Sequence, residues 1–565
     1  MKTFFSKKST VIISVVLVSI LSFGFIKSDL FEISKNLDIF NNLYLVLNES
    51  YVDETKPGQL MKTGIDAMLE SLDPYTNYIS ETDIEDFNFT ITGEYGGIGA
   101  LVTDIEGKII VVDPYEGFSA QKNGIKSGDE IVEVNGASVK GKRSDDVRPL
   151  LKGQAGSPIK LTVIHAGQTT PVVVNLMREE VRVKSVPYFG LIGNQATGYI
   201  KLTQFTENCS QQVKEALVKL KEKNAKNIIL DLRGNPGGLL QEAVNIVNLF
   251  TEKGNEVVFT KGKVKEWDRP YPSVYNPVDL QIPVVVLIDE NAASASEIVA
   301  GSLQDFDRAV LVGRRSYGKG LVQQTRDLAY NAKLRVTVAK YYIPSGRCIQ
   351  ALDYTHKNED GRVEKVPDSL ITAFKTKHGR VVYDGAGILP DVHVDEVKVS
   401  NIAITLLNKN LIFNYATEYV LKHNSIAAAK DFQLTEGEFN EFIAYLKDRD
   451  IKYKTESELA LDEFKEEAEK EKYYGAIKSE YEALANKMQA DKKDDLTKFK
   501  VEIKEFLEEE IVSRYYYQNG RIELGLKADP EVKVALDVVN DENRMKNILT
   551  TIEKPTKPFN PAKRF

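Results

Sequence analysis

Three features of this 565-residue sequence predict a multidomain α/β chain. From about residue 185 to 395, short apolar runs alternate with stretches whose apolar residues recur at helical spacing, the pattern of a βαβ core around a largely parallel sheet. Ahead of it, residues 91–180 hold glycine-punctuated apolar runs, including Ile159 to Ile164 and Val172 to Leu176, which predict a mostly-β module. Beyond about residue 396, glycine and proline become scarce. There, runs of Leu, Ala, Glu, Lys and Tyr over 400–424 and 455–515 predict a C-terminal α-helical region. The length alone is too great for one core and calls for three or four domains.

At the N-terminus, Lys2, Lys7 and Lys8 precede a nearly continuous apolar stretch from Thr10 to Ile26, and Lys27 follows it. That length is at the lower limit for spanning a bilayer and exceeds a usual signal-peptide core. Ser22-Phe-Gly24 matches a cleavage site poorly, and no cysteine stands there to make a lipoprotein signal. Residues 1–27 are therefore read as a signal peptide or, in preference, an uncleaved membrane anchor. Either way the basic flank stays inside and the rest is exported, to a periplasm or cell envelope. Residues 28–90 form an N-terminal helical segment, with apolar positions at Leu37, Phe40, Leu43 and Leu45, closing at the Asp73-Pro-Tyr turn. Pro555 to Phe565 reads as a loose tail.

Composition narrows the function classes. Hydrophobic content of 42% and charged content of 28% are ordinary for a globular protein, and the net charge of −8 offers no support for nucleic-acid binding. Cys209 and Cys348 are read as two free thiols. The five histidines, at 165, 356, 378, 393 and 423, fall in no triad or metal pattern, so neither metal nor cofactor is expected.

Chemistry concentrates in three segments of the core. The apolar run Val284 to Ile288 leads to Ser294-Ala295-Ser296-Glu297, and Ala309 to Val312 leads to Tyr317-Gly318-Lys319-Gly320. One loop offers a hydroxyl and the other an amine, each at the end of a predicted buried strand. Ser-x-x-Glu before an apolar helix is also a capping box, so Ser294 or Ser296 could simply cap a helix. The third segment, Ile228-Ile-Leu-Asp-Leu-Arg-Gly-Asn-Pro-Gly-Gly238, is a strand that breaks into a glycine turn. Such a turn at a helix start exposes N–H groups able to hold an oxyanion.

Together these segments resemble the carboxyl-terminal processing peptidases, or tail-specific proteases. The resemblance runs in order through Asp231–Gly238, Ser294–Gly301, Gly318-Lys-Gly-Leu-Val-Gln-Gln324, Tyr341-Tyr-Ile-Pro-Ser-Gly-Arg347 and Gly387-Ile-Leu-Pro-Asp391, and covers about residues 40 to 395. It implies a crotonase/Clp-like α/β serine protease core over 181–395 with a Ser–Lys dyad. The family's spacing selects Ser294 over Ser296 as nucleophile, Lys319 as base and Gln323 as the group orienting the lysine. Where the family commonly has Gly-Ser-Ala before the serine, this chain has Asn291-Ala292-Ala293. Lys319 must be unprotonated to accept the Ser294 proton, which requires a pKa well below about 10.4 and hence a dry site. Gln323, placed one helical turn on, would bond the amine without adding charge. The oxyanion would be held by the N–H of Ala295 and one from Gly237 or Gly238.

Upstream, Gly93-Glu-Tyr-Gly-Gly-Ile-Gly-Ala-Leu-Val102 leads directly into a strand-like run, which rules out a dinucleotide loop. With Gly124-Ile-Lys-Ser-Gly-Asp-Glu-Ile-Val-Glu-Val-Asn-Gly136 it resembles a PDZ domain over 91–180. The N–H groups of Gly96, Gly97, Ile98 and Gly99 would grip a terminal carboxylate, and the neighbouring strand edge would take up the tail. The expectation is an exported serine endopeptidase acting on proteins with free C-terminal tails, with room for an adaptor protein and for a homo-oligomer. The alternatives are an inactive PDZ scaffold and a crotonase-like acyl-CoA enzyme.

Overall fold

The computed structural model describes residues 30–193, 196–357 and 362–552, in two compact units divided between Tyr78 and Ile79. In the first unit, residues 30–50 are helical, and a second helix, Pro57–Glu70, starts on a proline whose missing N–H costs nothing there. Asp73 shapes the turn after it by accepting from the N–H groups of Tyr75 and Thr76, each at 2.8 Å. Leu37, Phe40, Leu43 and Leu45 do lie on the first helix, and all four are exposed. The expected leader or anchor lies outside the described residues. Among those described, no helix is long and apolar enough to cross a membrane.

The second unit opens with the mostly-β module. Its antiparallel sheet runs Ala100–Ile105, Lys108–Pro114, Glu130–Val134, Pro158–Ile164, Val172–Met177, with Ala100–Ile105 as an edge. The helix Ser144–Leu151 turns Val147 and Leu151 into that module's core. A separate ribbon pairs Glu94–Gly97 with Glu179–Arg182.

The core sheet is built from six strands: β1 (Tyr188–Ile192), β2 (Thr197–Lys201), β3 (Asn227–Asp231), β4 (Val284–Ile288), β5 (Val310–Gly313) and β6 (Val392–His393), side by side in that order. Only β1 is antiparallel to its neighbour. The middle residues of the central strands are apolar because both faces are covered. Ile228, Leu230, Val284, Val286, Ile288 and Leu311 face a core shared with the helices Cys209–Glu222, Leu240–Asn248 and Ala295–Asp305. The alternating residues Tyr199, Ile229, Val285, Leu287, Val310 and Val312 face Val532, Ala535, Val538, Val539 and Met545 instead. Those partners belong to two C-terminal helices, Pro530–Val539 and Glu542–Thr550.

The rest of the C-terminal region has its own core, in which Ile402, Leu406, Tyr415, Phe442, Leu507 and Ile511 are buried. Its helix pair Glu456–Lys470 and Tyr474–Asp491 is charge-rich, and Ala468 is the buried residue of the first. Both cysteines are free, Cys209 fully buried and Cys348 partly so.

Candidate active site

Ser294 sits where β4 has ended and the helix Ala295–Asp305 begins, so it is both a cap and a displayed hydroxyl. Its backbone is unusual for a residue with a side chain, with φ 54° and ψ −110°. Such a conformation persists only when the surroundings over-determine it. Here the Ser294 N–H donates to the Glu297 carboxylate (2.8 Å), and the Ser294 carbonyl accepts from the Tyr341 hydroxyl (3.3 Å). Gly237 backs onto the same peptide so closely that a Cβ there would lie 2.6 Å from the Ala293 carbonyl.

Glu297 does far more than close a capping box. Fully buried, its carboxylate also accepts from the Gly318 N–H (2.7 Å), the Lys319 N–H (2.8 Å) and the Ser316 hydroxyl (2.5 Å). Burial pushes its pKa up, against those donors, which favour the charged form. One carboxylate thus fixes the backbones of Ser294 and Lys319, and the Tyr317 N–H to Ala292 carbonyl bond (3.1 Å) ties the two loops again. Lys319 is buried. Gly318 takes φ 90°, and a Cβ there would stand 2.4 Å from the Ala351 methyl, so the lysine loop needs glycine to pack this tightly.

Gln323 is on a strand and not one helical turn after Lys319. Leu321–Asp327 pairs with Lys333–Tyr342, and the Gln323 amide donates to the Thr337 hydroxyl across that pair at 3.2 Å. A glycine-bounded tight turn followed by β-branched and amide residues suits extended backbone, which the four-residue spacing by itself did not reveal.

The glycine turn is pinned by Asn235. Its side-chain carbonyl accepts from the Gly237 N–H (2.9 Å), and its amide donates to Leu202 (2.9 Å). Its backbone carbonyl accepts from the Ala293 N–H (3.0 Å) and the Ser296 hydroxyl (2.9 Å). The Gly237 N–H is therefore engaged, while Gly238 is exposed, with φ 146°. Ser296 is fully buried and serves this internal bond.

Two further motifs brace the far end of the Ser294 helix. Arg347 donates to Asp305 and Gln304, each at 2.8 Å, from a position 1% exposed. Asp391 accepts from Arg380 (2.6 Å), from Gln304 (3.0 Å) and from the Leu311 N–H (2.8 Å). At the end of β3, Asp231 is buried against Arg233, Lys201 and the Tyr199 hydroxyl. Burial alone would raise its pKa, yet Arg233 and Lys201 hold it well below the usual carboxylate range.

In the β module, Gly96 and Gly97 lie within the ribbon Glu94–Gly97, and Ile98 and Gly99 form the loop before the edge strand. The Ile98 carbonyl accepts from Ala120 and the Gly99 carbonyl from Tyr115, which anchors the loop through its oxygens. Among the described residues, no cluster of His, Cys, Asp and Glu could hold a metal. Sequence reasoning passed over the roles of Glu297, Asn235, Ser316 and Tyr341. The first was visible only as half of a capping box, and Tyr341 only as part of a motif.

Fold and loops define the class, a serine-type peptidase with an appended β module and a helical C-terminal region. Comparison with known proteins agrees on all three parts: residues 196–356 match Peptidase family S41, 96–176 a PDZ domain, and 402–539 the family described as "Probable PDZ-protease, C-terminal helical domain". The "Carboxy-terminal-processing protease" of Bartonella bacilliformis is 36% identical over 325 residues, 57% of this chain and 74% of that one. A "Probable CtpA-like serine protease" of Staphylococcus aureus is 32% identical over 449 residues, 76% of this chain and 85% of that one. Among solved structures, the photosystem II D1 C-terminal processing protease is 26% identical, covering 63% of this chain and 92% of that one at a TM-score of 0.33. The chain belongs to the carboxy-terminal-processing serine peptidases of family S41.

Proposed function

We propose that this peptidase acts in the cell envelope on proteins with free C-terminal tails, cutting at or near the tail with Ser294 as nucleophile and Lys319 as general base. The observation that carries this reading is the Glu297 carboxylate, which accepts from the backbone N–H groups of both residues and so ties their two loops to one buried side chain. In its neutral form, Lys319 takes the Ser294 proton as the oxygen attacks the substrate carbonyl. The N–H groups of Ala295 and Gly238 hold the oxyanion, since the Gly237 N–H is already bonded to Asn235. The intermediate collapses to an acyl-enzyme as Lys319 returns the proton to the departing amine. Water, deprotonated by the same lysine, then releases the new C-terminus. Gln323 orients the lysine from the adjoining strand.

The Gly96–Gly99 stretch would receive the tail's carboxylate, with the Ile98 and Gly99 N–H groups at its centre. The tail then extends along the open edge Ala100–Ile105. The basic and apolar N-terminal stretch supports an envelope location.

Turnover of an unstructured protein substrate tests the reading. Ser294→Ala and Lys319→Ala should each abolish it in a folded protein, and the double variant should be no worse than either. Gln323→Ala should be milder. A substrate with an amidated C-terminus should bind less well than its free-acid twin, because amidation removes the charge and an acceptor oxygen. Near-parent turnover in Lys319→Ala would remove the lysine as base, and equal handling of acid and amide would remove tail recognition.

A further inference from the structure

Each of the three active-site loops carries a long charged side chain a few positions ahead of its working group. Arg233 precedes Gly237 and Gly238, Glu290 precedes Ser294, and Arg314 precedes Lys319. The two arginines converge on Glu531, the second residue of the helix Pro530–Val539, and Glu290 joins them through Arg314. The Glu531 carboxylate accepts from Arg233 through one oxygen and from Arg314 through the other, both at 2.5 Å. Arg314 in turn donates to Glu290 at 2.7 Å. The helix N-cap, Asp529, adds a 2.8 Å bond to Arg233 and accepts from the Glu531 and Val532 N–H groups, so the clamp's own backbone is fixed. Glu531 is 5% exposed. Arg233 meanwhile bonds Asp231 through two nitrogens, at 3.0 and 2.6 Å.

We propose that Glu531 is a positioning residue for catalysis, holding the oxyanion turn, the nucleophile loop and the lysine loop in register through Arg233 and the Arg314–Glu290 pair. This rests on Ser294 and Lys319 being the reacting groups. It makes a helix well over two hundred residues beyond the nucleophile part of the active site. Glu531 touches no substrate, and it works by keeping the reacting atoms within the small tolerance that attack on a carbonyl carbon allows. A carboxylate is suited to the task because two forks of guanidinium can each take one of its oxygens.

The test uses the full chain with Glu531→Gln, which keeps the shape and one acceptor oxygen but not the charge. Turnover number should fall on the order of 10²-fold for both a small ester and an unstructured protein. KM should change little, and labelling of Ser294 by a fluorophosphonate should slow in proportion. Val538→Ala is the control, since it loosens the same helix on its apolar side without touching either arginine. It should lower the thermal midpoint at least as much while keeping the parent turnover number. Arg314→Gln breaks the clamp from a more accessible side, should reproduce the loss, and decides the matter if Glu531→Gln does not fold. The double variant should be no worse than the stronger single. Parent-like turnover in the folded charge variants, or losses in Val538→Ala that match those in Glu531→Gln, would overturn the proposal. Parent-like turnover in Ser294→Ala would instead sink the reading of the site on which it stands.

Discussion

The two faces of the core sheet are equally apolar and differ in where their cover comes from. One face packs on helices that follow their strands within a few residues, as βαβ units do. The other packs on Pro530–Val539 and Glu542–Thr550, separated from β6 by most of the C-terminal region. The difference shows that the catalytic core is not a self-sufficient stretch of sequence. Its second layer is delivered from the far end of the chain, and the ion pairs around Arg233 and Arg314 come with it.

The harshest way to break this comparison is to remove residues 530–552. Truncation would uncover Tyr199, Ile229, Val285, Leu287, Val310 and Val312 together, a patch that no soluble fold leaves bare. Loss of soluble, folded protein is expected, read by expression yield and circular dichroism. A well-folded truncated chain would show that the second face has another cover. Next in size, Glu297→Gln should lower turnover on the order of 10²-fold, by leaving backbone donors of the Ser294 and Lys319 loops poorly matched. Steady-state kinetics on a small ester would reveal it, since such a substrate does not depend on tail capture.

A milder pair of substitutions weighs the faces directly. Leu230→Ala removes packing from the first face and Leu287→Ala from the second, each at a fully buried site. Each should cost about 2–5 kcal/mol, measured by denaturant unfolding. A Leu287→Ala cost well below that range would make the C-terminal layer an ornament. Acidity probes the same junction. The folded-state pKa of Asp231 is depressed by Arg233 and Lys201, so the stability it contributes is present above the ordinary aspartate value of about 3.9. That contribution is lost as pH falls through the folded value. The difference in thermal midpoint between parent and Asp231→Asn should therefore be largest near neutrality and shrink toward pH 2. A difference that stays constant would mean that charge is not what Asp231 supplies.

The first face was legible in the sequence and the second was not, for one physical reason. Alternation between strand and helix over 185–395 predicts local cover, because right-handed crossovers return a helix onto its own sheet. An all-apolar run such as Val284 to Ile288 says that both faces are buried but does not say by what. The C-terminal stretch announced helices through its composition, and nothing in Pro530–Val539 marks a docking partner three hundred residues upstream. At the site, Ser294, Lys319 and the glycine turn were readable as chemistry at strand ends, and the structure sets their loops side by side. Glu297 was readable only as a cap, because a capping box and a four-donor clamp share the pattern Ser-x-x-Glu. Gln323 was placed on a helix because its spacing from Lys319 fits one. The chain instead runs out of the lysine turn straight into a strand pair.

The smallest predicted effect separates the two serines of Ser294-Ala295-Ser296. Ser296 lies two positions on, in the first turn of the helix Ala295–Asp305, and has the same hydroxyl, but it is fully buried and donates to the Asn235 carbonyl at 2.9 Å. Ser296→Ala removes one buried hydrogen bond and leaves that carbonyl its second partner, the Ala293 N–H. The expected cost is about 1 kcal/mol of stability, the usual worth of such a bond. Turnover should stay within a few-fold of the parent, as on the order of 1 kcal/mol spread over a folded loop displaces Ser294 little. Because Asn235 also fixes the Gly237 N–H, any residual loss should appear in turnover number rather than in KM, through a slightly loosened glycine turn. If Ser296→Ala instead abolished activity while Ser294→Ala kept it, the nucleophile would be the buried hydroxyl. The strained backbone at Ser294 would then be no more than the start of a helix.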